Sequence, residues 1–324
     1  MTDASLVTDP VAALTADVFD DAQRRIAPVV HRTPVLTSAT LSRETGYRVL
    51  LKAELFQRTG SYKIRGPSNK LPQLTPEQQR AGVICSSAGN HAQGVALAAA
   101  ELGIPAVVVM ASNATPAKVA ATKAYGAEVV LHGRFWDEAN AEAQRIAAKR
   151  SLTFVHPFDD VQLIAGQGTV GLELLEDVPD TGVVVVPVGG GGLVSGIAVA
   201  VEGRRVVAVE PELSDALHQG LAAGQPVPIE PRSLADGLSA PFAGEHAIRI
   251  CKERGVESIL VSEDELADGM RFLYGRAKLA CEPAAAAGVA ALLAGKVAVE
   301  PRESVVVVVS GGNVAPEIAS AILG

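Results

Sequence analysis

Apolar residues fall into two patterns along the chain, and the alternation between them predicts an architecture. Short unbroken aliphatic runs, bounded by glycine or polar residues, read as buried strands at 49–51, 82–85, 106–110, 128–131, 183–188, 205–210 and 305–309. Between them the apolar positions take a helical period. This predicts helices over 91–102, 116–125, 136–149, 161–175 and 193–201, with more after Asp264 to about Leu293. Residues before about Ala22 read as a poorly tied tail or a short helix. Strands buried on both faces and separated by helices predict a parallel sheet in an α/β protein of the doubly wound kind. No fixed-period repeat or Ser/Gly-rich linker is present, so a second domain is expected as an insertion within the first.

Composition narrows the class. The 324 residues are 48% hydrophobic and 20% charged, ample for a buried core and too apolar for a disordered chain. Basic residues number 28 against 36 acidic, a formal charge of −8, and a nucleic-acid partner needs the opposite balance. Cys85, Cys251 and Cys281 have no CxxC spacing, so neither a disulfide framework nor a cysteine zinc site is expected. Met1-Thr2-Asp3-Ala4-Ser5 lacks the start of a signal peptide, and no aliphatic run is long enough to cross a bilayer. A cytoplasmic protein with neither membrane nor nucleic-acid partner is expected.

In open α/β sheets ligands bind outside the carboxyl ends of the strands. Three strand ends are unusual here. Ser86-Ser87-Ala88-Gly89-Asn90-His91 opens a helix, and small residues at a helix N-terminus suit a carboxylate, although Ser and Asn are also ordinary caps. Gly189-Gly190-Gly191-Gly192-Leu193 exposes consecutive N–H groups at another helix start, a cradle for phosphate. A rival reading takes Gly190, Gly192 and Ser195 as a degenerate dinucleotide fingerprint, with Glu210 as the ribose acid of a nicotinamide oxidoreductase. A Walker A loop is excluded, because Gly295-Lys296 is followed by Val297. Ser310-Gly311-Gly312-Asn313 ends the last strand with a hydroxyl able to face a ring nitrogen.

A fourth segment, Gly60-Ser61-Tyr62-Lys63-Ile64-Arg65-Gly66, can present an amine within a cleft. A desolvated lysine near other cations has a lowered pKa and forms Schiff bases, and Arg65 is a candidate neighbour unless it points to solvent. Lysine, phosphate cradle and strand-end hydroxyl together are the parts needed for pyridoxal phosphate. The dinucleotide reading leaves Lys63 and Ser310 unexplained.

These four segments, in this order from residue 60 to 313, resemble fold-type II pyridoxal-phosphate enzymes of the tryptophan synthase β-like fold. The group most resembled is threonine/serine dehydratase with serine racemase. The resemblance implies that Lys63 holds pyridoxal 5'-phosphate as a Schiff base and removes the Cα proton. It implies that Asn90 bonds the cofactor's 3-oxygen, that Gly189, Gly190, Gly191, Gly192 and the Leu193 amide hold its phosphate, and that Ser310 faces the pyridine nitrogen. Ser87, Asn90 and His91 would grip the substrate carboxylate. A serine at the ring nitrogen makes a weaker electron sink than an aspartate, which suits prompt loss of a β-leaving group.

The implied activity is an ammonia-lyase turning L-threonine or L-serine into a 2-oxo acid and ammonia, with serine racemase or 3-hydroxyaspartate dehydratase as alternatives. Serine racemases carry a proton-donating serine where this chain has Ala88, which weighs toward dehydration. The family's divalent-metal position falls at Glu210, with Ser214 in place but Ala216 where a second carboxylate is expected and Asp215 beside it; no metal is assigned. Glu282 fits a family position near the cofactor, or else simply starts a helix. The resemblance also implies a large cofactor domain from 1–73 and 157–324, with a small domain at 74–156 carrying the asparagine loop. It implies a homodimer, and, with the chain reaching Gly324 soon after Ser310, no regulatory domain beyond.

Overall fold

The protein, described for residues 9–300 and 303–324, is a computed structural model with ten strands among those residues. They are β1 (Val35–Thr37), β2 (Arg48–Ala53), β3 (Val83–Ser86), β4 (Ala106–Met110), β5 (Glu128–Leu131), β6 (Thr153–Phe154), β7 (Thr181–Pro187), β8 (Arg205–Pro211), β9 (Glu257–Val261) and β10 (Ser304–Val309). Two sheets result. The larger has the order β1-β2-β10-β7-β8-β9 and the smaller β5-β4-β3-β6.

Five consecutive valines, 305 to 309, put β10 in the middle of the larger sheet, paired in parallel with β2 and β7. A strand in that position has no solvent face, so aliphatic residues are required at every position and not at alternate ones. One face of this sheet is closed by the alanine-rich helix Pro283–Leu293. Gly288 lets it sit down on the sheet, since a Cβ there would lie 2.6 Å from Val307 Cγ1. Helices Val161–Asp177 and Gly192–Ala200 cover the opposite face through Val170, Leu174, Val194 and Ile197.

The smaller sheet is parallel throughout. Helix Asn90–Glu101 covers one face and Trp136–Arg150 the other. All seven strand positions expected from the sequence are strands. The expectation of an all-parallel sheet needs one correction: β1 lies antiparallel to β2 at the edge of the larger sheet. Its three residues are too short to announce themselves in the sequence. Of the two readings of the residues before about Ala22, a loose tail or a short helix, the described residues show helix. Ala16–Ile26 is a helix that buries Phe19, Ala22 and Ile26 against Ile164 and Ala165. Met1 to Ser5, read for targeting, lies outside the described residues.

Both sheets turn their carboxyl ends toward one cavity of about 330 Å³. Ser86 and Asn90 reach it from the smaller sheet, and Pro187, Gly190 and Ser310 from the larger. No helix among the described residues is long and apolar enough to cross a membrane.

Candidate active site

Lys63 lies in a tight helical turn, Tyr62–Ile64, that is stitched to the loop after β10. Ser61 pairs with Gly311, Tyr62 N–H donates to Ser310 O at 3.1 Å, and Gly312 N–H donates to Gly60 O at 2.8 Å. Gly60 has φ +72°, and a Cβ on it would lie 2.5 Å from Asn313 Oδ1, so only glycine fits between the two turns. From the other side, helix Asn90–Glu101 approaches through Gly94, where a Cβ would be 3.0 Å from the Lys63 carbonyl. Lys63 is thereby held in backbone between two segments. Its amine lines the cavity and donates to Pro157 O at 3.1 Å. Desolvation pulls its pKa down to about 8, with the negative charge of Glu282 opposing.

Arg65 is neither in solvent nor the source of that shift, contrary to the sequence-based alternatives. Its fully buried guanidinium bonds Glu54 at 2.7 and 2.8 Å and Glu173 at 2.7 and 2.9 Å. Lys52 completes the cluster at 2.7 Å from Glu173. Two carboxylates and two cations neutralise one another beneath the Lys63 turn.

At the asparagine loop, Asn90 is gripped from both ends of its amide. Its Nδ2 donates to Glu282 Oε1 and Oε2 at 2.8 and 3.1 Å, and its Oδ1 accepts from Asn313 Nδ2 at 2.8 Å. Glu282 is 4% exposed. Burial raises its pKa to about 7, against the Asn90 hydrogen bond, and Asp236 adds to the rise. Ser87 Oγ accepts the Gly89 N–H at 3.2 Å. Ser86 Oγ lines the cavity, buried and without a partner. His91 is buried, and its Nε2 donates to Val155 O at 3.1 Å. Its pKa is depressed to about 3, mainly by desolvation, so the ring is neutral and Nδ1 is a bare acceptor without a partner.

The glycine loop starts helix Gly192–Ala200, whose cap, Gly191 at φ +92°, offers no side chain to the free N–H groups. Packing explains why the loop is glycine: a Cβ on Gly190 would fall 2.2 Å from the Phe158 ring, and one on Gly192 would fall 2.8 Å from Phe158 O. Phe158 was not legible as a site residue. Nothing in its own sequence neighbourhood distinguishes it from core. Lys118 and Asp236 were missed for the same reason. They form an ion pair of 2.7 Å between helix Pro116–Ala124 and the turn Asp236–Leu238, and both line the cavity.

These observations fit pyridoxal phosphate: an uncapped helix start for a phosphate, a half-buried amine of lowered pKa, and the buried Ser310 at the strand end beside it. They do not fit a dinucleotide, because Glu210 is fully buried and both its oxygens accept N–H groups, from Leu217 at 2.7 Å and His218 at 2.8 Å. Ser214 Oγ is likewise occupied, donating to Leu238 O. No group of three metal-ligating side chains occurs among the described residues.

The chain belongs to the family described as pyridoxal-phosphate dependent enzymes, which it matches over residues 26–311. Among curated relatives, the L-threonine ammonia-lyase of Thermotoga maritima is 45% identical over 93% of this chain and 76% of its own length. The catabolic L-threonine dehydratase TdcB of Staphylococcus aureus (strain USA300) is 41% identical over 95% of this chain and 93% of its own. Among solved structures, maize serine racemase superposes with a TM-score of 0.91 at 37% identity, covering 95% of this chain and 96% of that one.

Proposed function

We infer that this chain is an ammonia-lyase acting on L-threonine, L-serine or both, releasing a 2-oxo acid and ammonia. The observation that carries the reading is the residue at position 88 on the cavity wall. Where the resemblance to serine racemases would put a proton-donating serine, this chain has Ala88, whose side chain has no proton to give. The lack of a hydroxyl at that position supports elimination over racemisation. The likeness to threonine ammonia-lyase and dehydratase sequences supports the same choice.

When bound, pyridoxal phosphate supplies an aldehyde that condenses with amino groups and an electron-withdrawing ring that acidifies the substrate's Cα–H. Lys63 is the anchoring amine and the Cα base. With a pKa of about 8 it shares its proton readily near neutrality, where an ordinary lysine stays charged. Gly189, Gly190, Gly191, Gly192 and the Leu193 amide would hold the phosphate, Ser310 the ring nitrogen and Asn90 the 3-oxygen. The Glu282 and Asn313 contacts fix which way the Asn90 amide faces. Ser87, Asn90 and the backbone at His91 would take the substrate carboxylate at the helix start. The His91 ring does not share in this, since it is turned to Val155 O.

Substrate class follows from charge. Among the described residues that line the cavity, the lysines are Lys63 and Lys118, and Lys118 is already paired with Asp236. No cation is left for a second carboxylate, which favours a neutral β-hydroxy amino acid over 3-hydroxyaspartate. The test is a screen of L-threonine, L-serine, D-serine and 3-hydroxyaspartate, with 2-oxo acid and product chirality scored together. We expect 2-oxo acid from the first two; D-serine formed from L-serine at a comparable rate would overturn the reading in favour of a racemase. The proposal includes a small unit at 74–156 set into the rest of the chain, a cytoplasmic location and a homodimer, the last checked by light scattering.

A further inference from the structure

The segment between β6 and helix Val161–Asp177 touches the asparagine-loop helix, the Lys63 amine and the glycine loop, yet none of its residues carries a role in binding or chemistry. Val155 O accepts from His91, Pro157 O accepts from Lys63, and Phe158 packs against Gly190 and Gly192. Its conformation is fixed by His156, whose Nδ1 accepts the N–H groups of Phe158 at 3.4 Å and Asp159 at 2.9 Å. This double acceptance needs an unprotonated Nδ1, and burial keeps the imidazole pKa low. Asp159 is thereby aimed at a helix that starts 86 residues further along. Its Oδ2 accepts the Glu245 N–H at 3.0 Å and its Oδ1 accepts the His246 N–H at 3.0 Å. Helix Glu245–Glu253 has no cap of its own, because its N-cap residue is Gly244. A carboxylate from a distant segment fills that place and also answers the helix dipole.

The first turn of this helix is the outer wall of the glycine loop. Gly244 N–H donates to Gly190 O at 3.1 Å, and a Cβ on Gly191 would lie 2.5 Å from Ala247 Cβ. Gly244 must be glycine for the same reason, since a Cβ there would meet Asp159 Oδ1 at 2.4 Å. Gly190 and Gly191 are therefore clamped between Phe158 on one side and the Gly244–Ala247 turn on the other. Asp159 joins the two sides of the clamp.

We propose that Asp159 is a positioning residue for the phosphate cradle: by capping helix Glu245–Glu253 it holds Gly244 and Ala247 against Gly190 and Gly191. It is not among the residues that line the cavity. The inference rests on reading the glycine loop as the phosphate site, and it predicts a loss confined to ligands that carry a phosphate.

The test compares pyridoxal phosphate with pyridoxal, which forms the same Schiff base without the phosphate. Cofactor-free wild type, Asp159→Ala and Asp159→Asn are titrated with each compound. Quenching of the single tryptophan, Trp136, on the cavity wall is followed, and the bound phosphate is observed by phosphorus NMR. Asp159→Ala is expected to weaken pyridoxal phosphate about tenfold, in line with the loss of a helix cap, and to leave pyridoxal within about twofold. Asp159→Asn keeps one of the two acceptor oxygens and should recover only part of the affinity. Equal weakening of both ligands would mean a general structural role, and unchanged affinity for pyridoxal phosphate would mean no role; either overturns the proposal. If the alanine variant does not fold, the same comparison with Asp159→Asn decides: it should weaken only the phosphate-bearing ligand. Wild type that binds neither ligand would instead overturn the underlying cofactor reading.

Discussion

Replacing Lys63 with methionine should make the cofactor-free protein more stable. In the folded chain the ammonium is disfavoured by desolvation, its pKa falling from 10.5 to about 8, with Glu282 offsetting only part. That fall corresponds to roughly 3 kcal/mol against the charged form. The amine borders a cavity and is half-buried, so solvent screening brings the expected penalty to about 2 kcal/mol. Because the folded pKa lies below the unfolded one, the unfolded chain binds more protons between about pH 8 and 10.5, and wild-type stability rises with pH through that window. Below pH 8 the penalty is fully present. Methionine has similar length and no charge to desolvate, and the Pro157 carbonyl it abandons can turn to cavity water. Urea unfolding of cofactor-free wild type and Lys63→Met at pH 7 and pH 10 measures the effect. The variant should lead by about 2 kcal/mol at pH 7, and the gap should close toward pH 10. A variant less stable than wild type at pH 7, or a gap independent of pH, refutes the account of why this lysine is reactive.

Three further outcomes are expected. Arg65→Met strands Glu54 and Glu173 beside Lys52 alone, and should cost about 3–5 kcal/mol by urea unfolding; adding Glu54→Gln should recover part of it. Gly190→Ala overpacks the Phe158 ring and should destabilise even the cofactor-free protein by about 1–3 kcal/mol, with Phe158→Leu restoring stability; a loss seen only in cofactor binding would show that packing does not set this glycine. Glu282 has a folded pKa raised to about 7, so its contribution is present at low pH and lost as pH rises from 4.5 through 7. Glu282→Gln should match wild type near pH 4 and exceed it by about 2 kcal/mol near pH 9, while kcat falls because Asn90 loses its anionic partner.

The legible part of this molecule was the part written in local chemistry. Valine runs marked the strands, because a strand buried on both faces has no other composition open to it. The four strand-end motifs marked where a ligand must approach the backbone. What stayed hidden depends on partners distant in the chain. Arg65 sits one residue beyond Ile64 in a conspicuous motif, yet its partners Glu54 and Glu173 lie on separate elements and only folding brings them together. The Asn90 network joins residues 90, 282 and 313, and the strand-end motifs show its two asparagines without showing that Asn90 bridges Asn313 and Glu282. Phe158 and Asp159 look like any loop residues until the glycine loop and Gly244 are placed against them. The edge strand β1 was missed for a simpler reason, being three residues long, and helix Ala16–Ile26 was left undecided between tail and helix because it shows mostly polar positions.

The central position of β10 bears on how the protein is made. It is synthesised after the nine other strands described here, yet it lies between β2 and β7, which emerge long before it. Until β10 is made, the valines and leucines of those two strands lack the strand that each pairs with in the finished sheet. Ser310 and the turn that stitches Lys63 in place arrive with the same late segment. A nascent chain therefore carries the amine, the glycine loop and the asparagine loop before the strand that joins β2 to β7. Translation order makes competence for chemistry and completion of the sheet a single event.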